Sequence, residues 1–227
     1  MRVIELPPRV EVQVDSLILY GLEQSVYTRI ARLALEEKRV PYSLQEVDIF
    51  GAAGVPGHYR DLHPFGRLPA LQHGAFRLYE TSAITRYVDE AFEGPRLQPT
   101  DAVDRARMNQ IIGVLDSYAY RPMVWDVFVE RVRVPQTGGQ SDEAKISGAI
   151  VTSETCLAAL DEIVRCTPYL VSDEVTLADL HAYPMLCYLA LAPDGEALLN
   201  CHPKLQRWLE TMQSRSSVGS TKSPFEP

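Results

Sequence analysis

Between His63 and Val88 the chain reads HPFGRLPALQHGAFRLYETSAITRYV, and the types and order of these residues suggest binding chemistry. Pro69 interrupts a short apolar run, Leu68-Pro69-Ala70-Leu71, that otherwise reads as a strand. Proline has no N–H to give a ladder, so it belongs at a strand's start or edge, or beside a ligand. A cis Leu68-Pro69 bond would turn the Leu68 N–H and C=O outward, where a bound peptide can pair with them. After a turn at His73-Gly74 and a second strand, Phe76 to Tyr79, the acid-hydroxyl sequence Glu80-Thr81-Ser82 opens an amphipathic helix. The free N–H groups and positive dipole end of that helix form a seat for a carboxylate. Such a unit clamps a small peptide by its backbone and holds its acidic end. Acids and hydroxyls at helix starts also serve as plain caps. The order of proline strand, turn, strand and acid-hydroxyl helix is what favours a site.

The elements that must position this unit are legible upstream and downstream. Residues 16–20 (SLILY) read as a buried strand, and Val26, Ile30, Leu33, Ala34 and Glu37 follow helical spacing until Arg39-Val40-Pro41 ends the helix. Tyr42 to Ile49 reads as another strand, and the glycine- and proline-rich stretch 50–64 as an irregular connection. The expectation is an arm over 1–15, a small α/β domain with a mixed sheet over 16–93 and a linker over 94–99. An all-α domain over 100–213 and a flexible tail over 214–227 complete it. In the helical half, Met108, Ile111, Ile112, Leu115 and Tyr118 form one stripe, and Ala149, Cys156, Leu157, Leu160 and Val164 another. Thr176 with Asp179 three residues on reads as a variant capping box, and Pro184 falls inside or at the end of the helix it opens, which it should kink.

Composition bounds the function classes. With 227 residues and 46% hydrophobic content the chain can bury a full core, and a net charge of −8 argues against sequence-independent nucleic-acid binding. No window reaches the ~18 apolar residues of a membrane span, and Glu5, Pro7, Pro8 and Glu11 break any signal-peptide pattern at the start. Cys156, Cys166, Cys187 and Cys201 show neither metal spacing nor a CxxC, so reduced core thiols in a cytoplasmic protein without a metal are expected.

In their order and spacing, HPFGRLPAL, YETSAITRYV and the helix-start TLAD resemble the cytosolic glutathione transferases, over roughly Leu17 to Met212. The first two motifs look closest to the serine-type classes, phi-like enzymes and their bacterial relatives. The resemblance implies a thioredoxin-like N-terminal domain followed by an all-helical C-terminal domain, with glutathione as co-substrate. The family's shared task is to make thiolate. A free thiol near pKa 8.5 is only a few per cent ionised at neutral pH, and lowering that value by ~2 units takes about 2.7 kcal/mol. A hydroxyl donor beside the N-terminus of the first helix can supply this without a formal charge.

Aligned through TRIARLALEEK, Ser25 falls on the family's thiol-activating serine; Tyr20 and Tyr27 are the alternatives. The same resemblance gives Leu68 a backbone pairing with the cysteinyl part of glutathione. It gives Glu80 the ammonium and Thr81 the carboxylate of the γ-glutamyl end, and places Arg67 next to that clamp. At the glycyl end phi-like enzymes carry a His-Lys pair, where this chain has Gly54 and Val55, leaving His58 or Arg60 to compensate. His63 is assigned no role. The electrophile pocket would be lined by Tyr118, Tyr120, Met123, Trp125 and Val127. The first half lacks cysteine, which argues against the omega-like thiol transferases. The reading is a glutathione transferase, a cytoplasmic homodimer acting in detoxification on a small hydrophobic electrophile. The alternatives are a glutathione-dependent peroxidase or isomerase on the same fold, or a binding module that kept the fold and lost the chemistry.

Overall fold

The computed structural model describes residues 17–52 and 54–226, so the arm expected over 1–15 lies outside the described residues. Four strands, β1 (Leu17–Gly21), β2 (Ser43–Glu46), β3 (Ala70–His73) and β4 (Phe76–Tyr79), form one sheet in the order β2-β1-β3-β4. β1 runs parallel to β2 and antiparallel to β3, which pairs antiparallel with β4. Leu17, Leu19 and Leu71 point to one face and pack with helices α1 (Val26–Glu37) and α2 (Thr81–Ala91). Leu22, Val47, Tyr59, Leu68 and Ala70 form a second cluster, with Tyr20 at its margin. The β2 strand is shorter than the expected 42–49 because the Asp48 carboxylate turns back to accept from the Phe50 and Gly51 N–H groups, at 2.8 and 2.9 Å. The stretch 50–64 is largely irregular and carries one 3₁₀ turn, Gly57–Asp61.

The helical half begins with α3 (Ala102–Val114), capped by the Asp101 carboxylate. The chain then winds on as wide, i→i+5 turns over Leu115–Ala119 and Arg121–Arg133 and closes with α4 (Val134–Gln136). α5 (Glu143–Ile163), α6 (Leu177–Ala190), α7 (Pro193–Asn200), α8 (Pro203–Gln213) and α9 (Ser216–Ser220) follow. Every α6 residue from Leu177 to Leu189 is buried, Pro184 inside the helix included; a helix apolar on all sides must be surrounded, and α6 packs against α1 and α3. The expected capping box is present at its start. Asp179 also accepts from the Leu170 N–H and the Trp208 Nε1–H, which ties α6 to α8. One continuous hydrophobic core therefore runs from the sheet through α1 into the helical domain.

Residues 214–226 of the expected flexible tail over 214–227 are packed instead. α9 buries Val218, the Phe225 ring lies on Phe128 and Tyr188, and the Glu226 carboxylate pairs with Arg29 of α1. Its serine-rich composition hid three anchors that only the tertiary partners reveal. Among the described residues, no helix is long and apolar enough to cross a membrane, and the four cysteines are free.

Candidate active site

The turn from β1 into α1 is held tightly. A Cβ on Gly21 would come within 2.4 Å of the Thr28 hydroxyl, so glycine lets the strand end pass against the helix. Ser25 follows as the N-cap of α1: its backbone is extended and its Oγ accepts from the Thr28 N–H at 3.3 Å. That bond uses an oxygen lone pair and leaves the hydroxyl proton for another acceptor.

A cleft of about 640 Å³ lies beside this turn, between the two domains. Ser25, Arg67, Leu68, Glu80 and Thr81 all line it, although they come from separate stretches of the chain. The Leu68-Pro69 bond is cis, as read from the sequence. Arg67 is held by its carbonyl, which accepts from the Tyr59 hydroxyl at 2.7 Å. Glu80 sits at φ 71°, ψ 113°, a left-handed backbone that a non-glycine residue adopts only where its surroundings impose it. Its carbonyl receives the Ala83 and Ile84 N–H groups at 3.0 and 2.9 Å. The Thr81 and Ser82 N–H groups, at the helix start, have no intrahelical acceptor. An acid is thus fixed beside two free N–H groups and a hydroxyl, which suits the ammonium and carboxylate of one amino-acid end.

Asp116 and Arg121 line the cleft with no sequence signal that singled them out, and His63, assigned no role from the sequence, lines it too, as does Ser82 of the acid-hydroxyl sequence. His63 is almost fully buried, its ring 4.9 Å from that of Tyr79, and burial lowers its pKa, so the ring is held neutral. Burial, then the nearby Asp116 carboxylate, push the Tyr27 phenol well above its usual range. Tyr27 is thereby held neutral. Its ring stands 4.5 Å from that of Tyr120, whose hydroxyl accepts from Trp125 Nε1 at 3.0 Å. Tyr20 lies elsewhere: it is absent from the cleft wall, and its hydroxyl donates to Gln72 at 3.3 Å.

Two family models match the chain, described as the glutathione S-transferase N-terminal domain over residues 19–96 and the glutathione S-transferase C-terminal domain over residues 120–216. Glutathione S-transferase F14 of Arabidopsis thaliana is 31% identical over 191 residues, which span 82% of this chain and 74% of the relative. The chain belongs to the glutathione S-transferase family. Among solved structures, glutathione S-transferase III in its apo form superimposes with a TM-score of 0.81 at 28% identity, over 93% of this chain and 98% of that one. Glutathione S-transferase I from maize, in complex with an atrazine glutathione conjugate, gives 0.77 at 25% identity, over 90% and 95%.

In this transferase, three of the five residues expected to line an electrophile pocket lie outside the cleft. Tyr120 and Trp125 line the cleft, and the exposed Phe50 ring faces Trp125 across it at 5.9 Å. Tyr118, in contrast, is 65% exposed and turned to solvent, and Met123 and Val127 are fully buried in the core. The wide turns over 115–133 set which side chains reach the cleft: Tyr120 and Trp125 are on its wall, Tyr118 is in solvent, and Met123 and Val127 are buried. A second pocket of about 670 Å³ opens behind Ser25 and shares Phe50, Tyr120 and Trp125 with the first; its further wall includes Val124, Phe128, Tyr188 and Phe225.

Proposed function

We propose that this glutathione S-transferase is a serine-type enzyme in which the Ser25 hydroxyl stabilises the thiolate of bound glutathione for attack on a small hydrophobic electrophile. The observation that carries the reading is the convergence of Ser25, Arg67, Leu68, Glu80 and Thr81 on one cleft. The Leu68 backbone pairs with the cysteinyl unit, which brings the sulfur to the β1–α1 turn. Glu80 takes the γ-glutamyl ammonium, while the Thr81 hydroxyl and the N–H groups at the start of α2 take its carboxylate. Arg67 adds positive charge on the same wall. Ser25 donates its free proton to the sulfur, and the N-terminal end of α1 adds its dipole. Together they must supply the roughly 2.7 kcal/mol that a two-unit pKa drop requires. The electrophile lies against Phe50, Tyr120 and Trp125. The chain acts as a cytoplasmic homodimer in detoxification, which its family resemblance supports.

The test is a pH titration of the thiolate absorbance of glutathione bound to wild type, Ser25→Ala and Tyr27→Phe. A depressed pKa in wild type and Tyr27→Phe that returns towards 8.5 in Ser25→Ala is the expected result. Equal depression in wild type and Ser25→Ala would reduce Ser25 to a helix cap. No glutathione binding by wild type would overturn the transferase mechanism itself.

A further inference from the structure

Phe225 lines the second pocket, and none of residues 223–226 lines the first cleft. The Phe225 ring stands 5.5 Å from Phe128 and 5.8 Å, edge-on, from Tyr188, and the Arg133 guanidinium lies 4.5 Å over it. An aromatic ring sandwiched in this way is fixed rather than free to swing.

What holds it is a buried latch. The Glu226 carboxylate accepts from both terminal nitrogens of Arg29, at 2.5 and 3.0 Å, and from the Ser223 N–H at 2.8 Å. Arg29 is 1% exposed, and it also lies against the Cys187 sulfur at 3.9 Å and the Tyr183 ring at 5.0 Å. Without Glu226 a guanidinium would stay buried with no carboxylate on it, which makes the latch costly to open. A second tie runs through Tyr188. Its hydroxyl bonds the Ser223 hydroxyl at 2.6 Å and donates to the Gln24 carbonyl at 2.8 Å, one residue before Ser25. The same few residues therefore anchor both a pocket wall and the turn that bears the proposed thiol activator.

We infer that residues 223–226 form a clasp on the electrophile pocket, with Phe225 as a specificity-determining residue that favours compact aromatic electrophiles. The inference rests on the reading of that pocket as the electrophile site. Phe225 supplies the face against which a single aromatic ring packs, and its bulk excludes larger ones. Loss of the ring removes one aromatic contact and opens space for a second ring.

The deciding experiment is calorimetric binding of three probes to wild type and Phe225→Ala: glutathione, its dinitrophenyl conjugate and its bulkier chalcone conjugate. Expected is a dinitrophenyl affinity about fivefold weaker, the scale of one aromatic contact, with glutathione affinity unchanged and the chalcone conjugate tighter. Glu226→Gln, which loosens the latch, should move the two conjugates in the same directions by less. Should Phe225→Ala not fold, Phe225→Leu keeps most of the bulk and decides the question, with a smaller shift of the same sign. Unchanged ratios between conjugates, with glutathione still bound, overturn the clasp while leaving the transferase mechanism intact. A wild type that binds no glutathione removes both.

Discussion

Asp179→Ala should be among the most damaging single substitutions in this protein, although Asp179 touches neither pocket. The carboxylate is fully buried and accepts four hydrogen bonds, each of 2.8 Å: the Leu170 N–H, the Trp208 Nε1–H, the Thr176 N–H and the Thr176 hydroxyl. The hydroxyl can turn to another acceptor; the three N–H groups cannot. An orphaned buried donor costs roughly 1–3 kcal/mol, so alanine costs roughly 3–9 kcal/mol before any offset. Removing a desolvated carboxylate returns part of that, which brings the net loss to about 4 kcal/mol. For a chain of this length the fall in Tm is then about 8–16 °C. Asp179→Asn keeps the shape but sets an amide NH₂ against some of those donors, so about half the loss is expected. Urea and thermal unfolding followed by circular dichroism measure both variants. A loss below about 1 kcal/mol for Asp179→Ala would show that the four bonds do not stabilise the fold as argued.

Other perturbations follow from single observations. Glu80→Gly should relieve the left-handed backbone at φ 71°, raising stability by about 0.5–1 kcal/mol, yet weaken glutathione binding more than tenfold; parallel loss of both would contradict the assignment. Burial lowers the His63 pKa below its ordinary 6.5, so the unfolded chain takes the proton first. Stability present above about pH 6.5 is therefore lost as pH falls through that value, and His63→Asn should flatten this slope in unfolding curves taken between pH 5 and 8. Burial pushes the Cys166 thiol up to about 12 and Cys187 to about 11, and Cys156 is buried and shifted upward too, whereas Cys201 is exposed. Thiol labelling of the native protein at neutral pH should therefore modify Cys201 first, as mass mapping would read.

The grouping of Leu68, Glu80 and Thr81 was legible in the sequence because its parts are local. Leu68-Pro69 and Glu80-Thr81 carry their geometry in the backbone, a proline turn and a helix start, so order along the chain fixes what they present. The capping box at Thr176 was legible for the same reason. The electrophile side was not. Residue type alone puts Tyr118, Tyr120, Met123, Trp125 and Val127 in one pocket, but type does not say which way a side chain faces, and the wide turns there send Tyr118 outward and Met123 into the core while keeping Tyr120 and Trp125 on the wall. Asp116 and Phe50 come to the cleft by tertiary approach alone. The segment 214–227 was misread because serine-rich composition describes average solubility, whereas Val218, Phe225 and Glu226 each find a specific buried partner.

The observed cap of Ser25 and its proposed role as thiolate donor are compatible for a stereochemical reason. A hydroxyl has two lone pairs and one proton. Capping α1 takes a lone pair, through the Thr28 N–H, and also fixes the rotamer of the side chain. The proposed thiolate stabilisation takes the proton, which the cap leaves unused. The cap therefore aims the donor instead of competing with it, and the Tyr188–Gln24 bond steadies the residue just before it. Threonine at this position would keep both functions but add a methyl group beside the sulfur, whereas alanine would lose both. Ser25→Thr should accordingly retain most of the stability and part of the thiol pKa depression. Ser25→Ala should lose about 1 kcal/mol of stability together with the depression. A Ser25→Ala protein that lost stability alone would separate the roles and leave the thiolate to another donor, with Tyr27 the nearest in sequence.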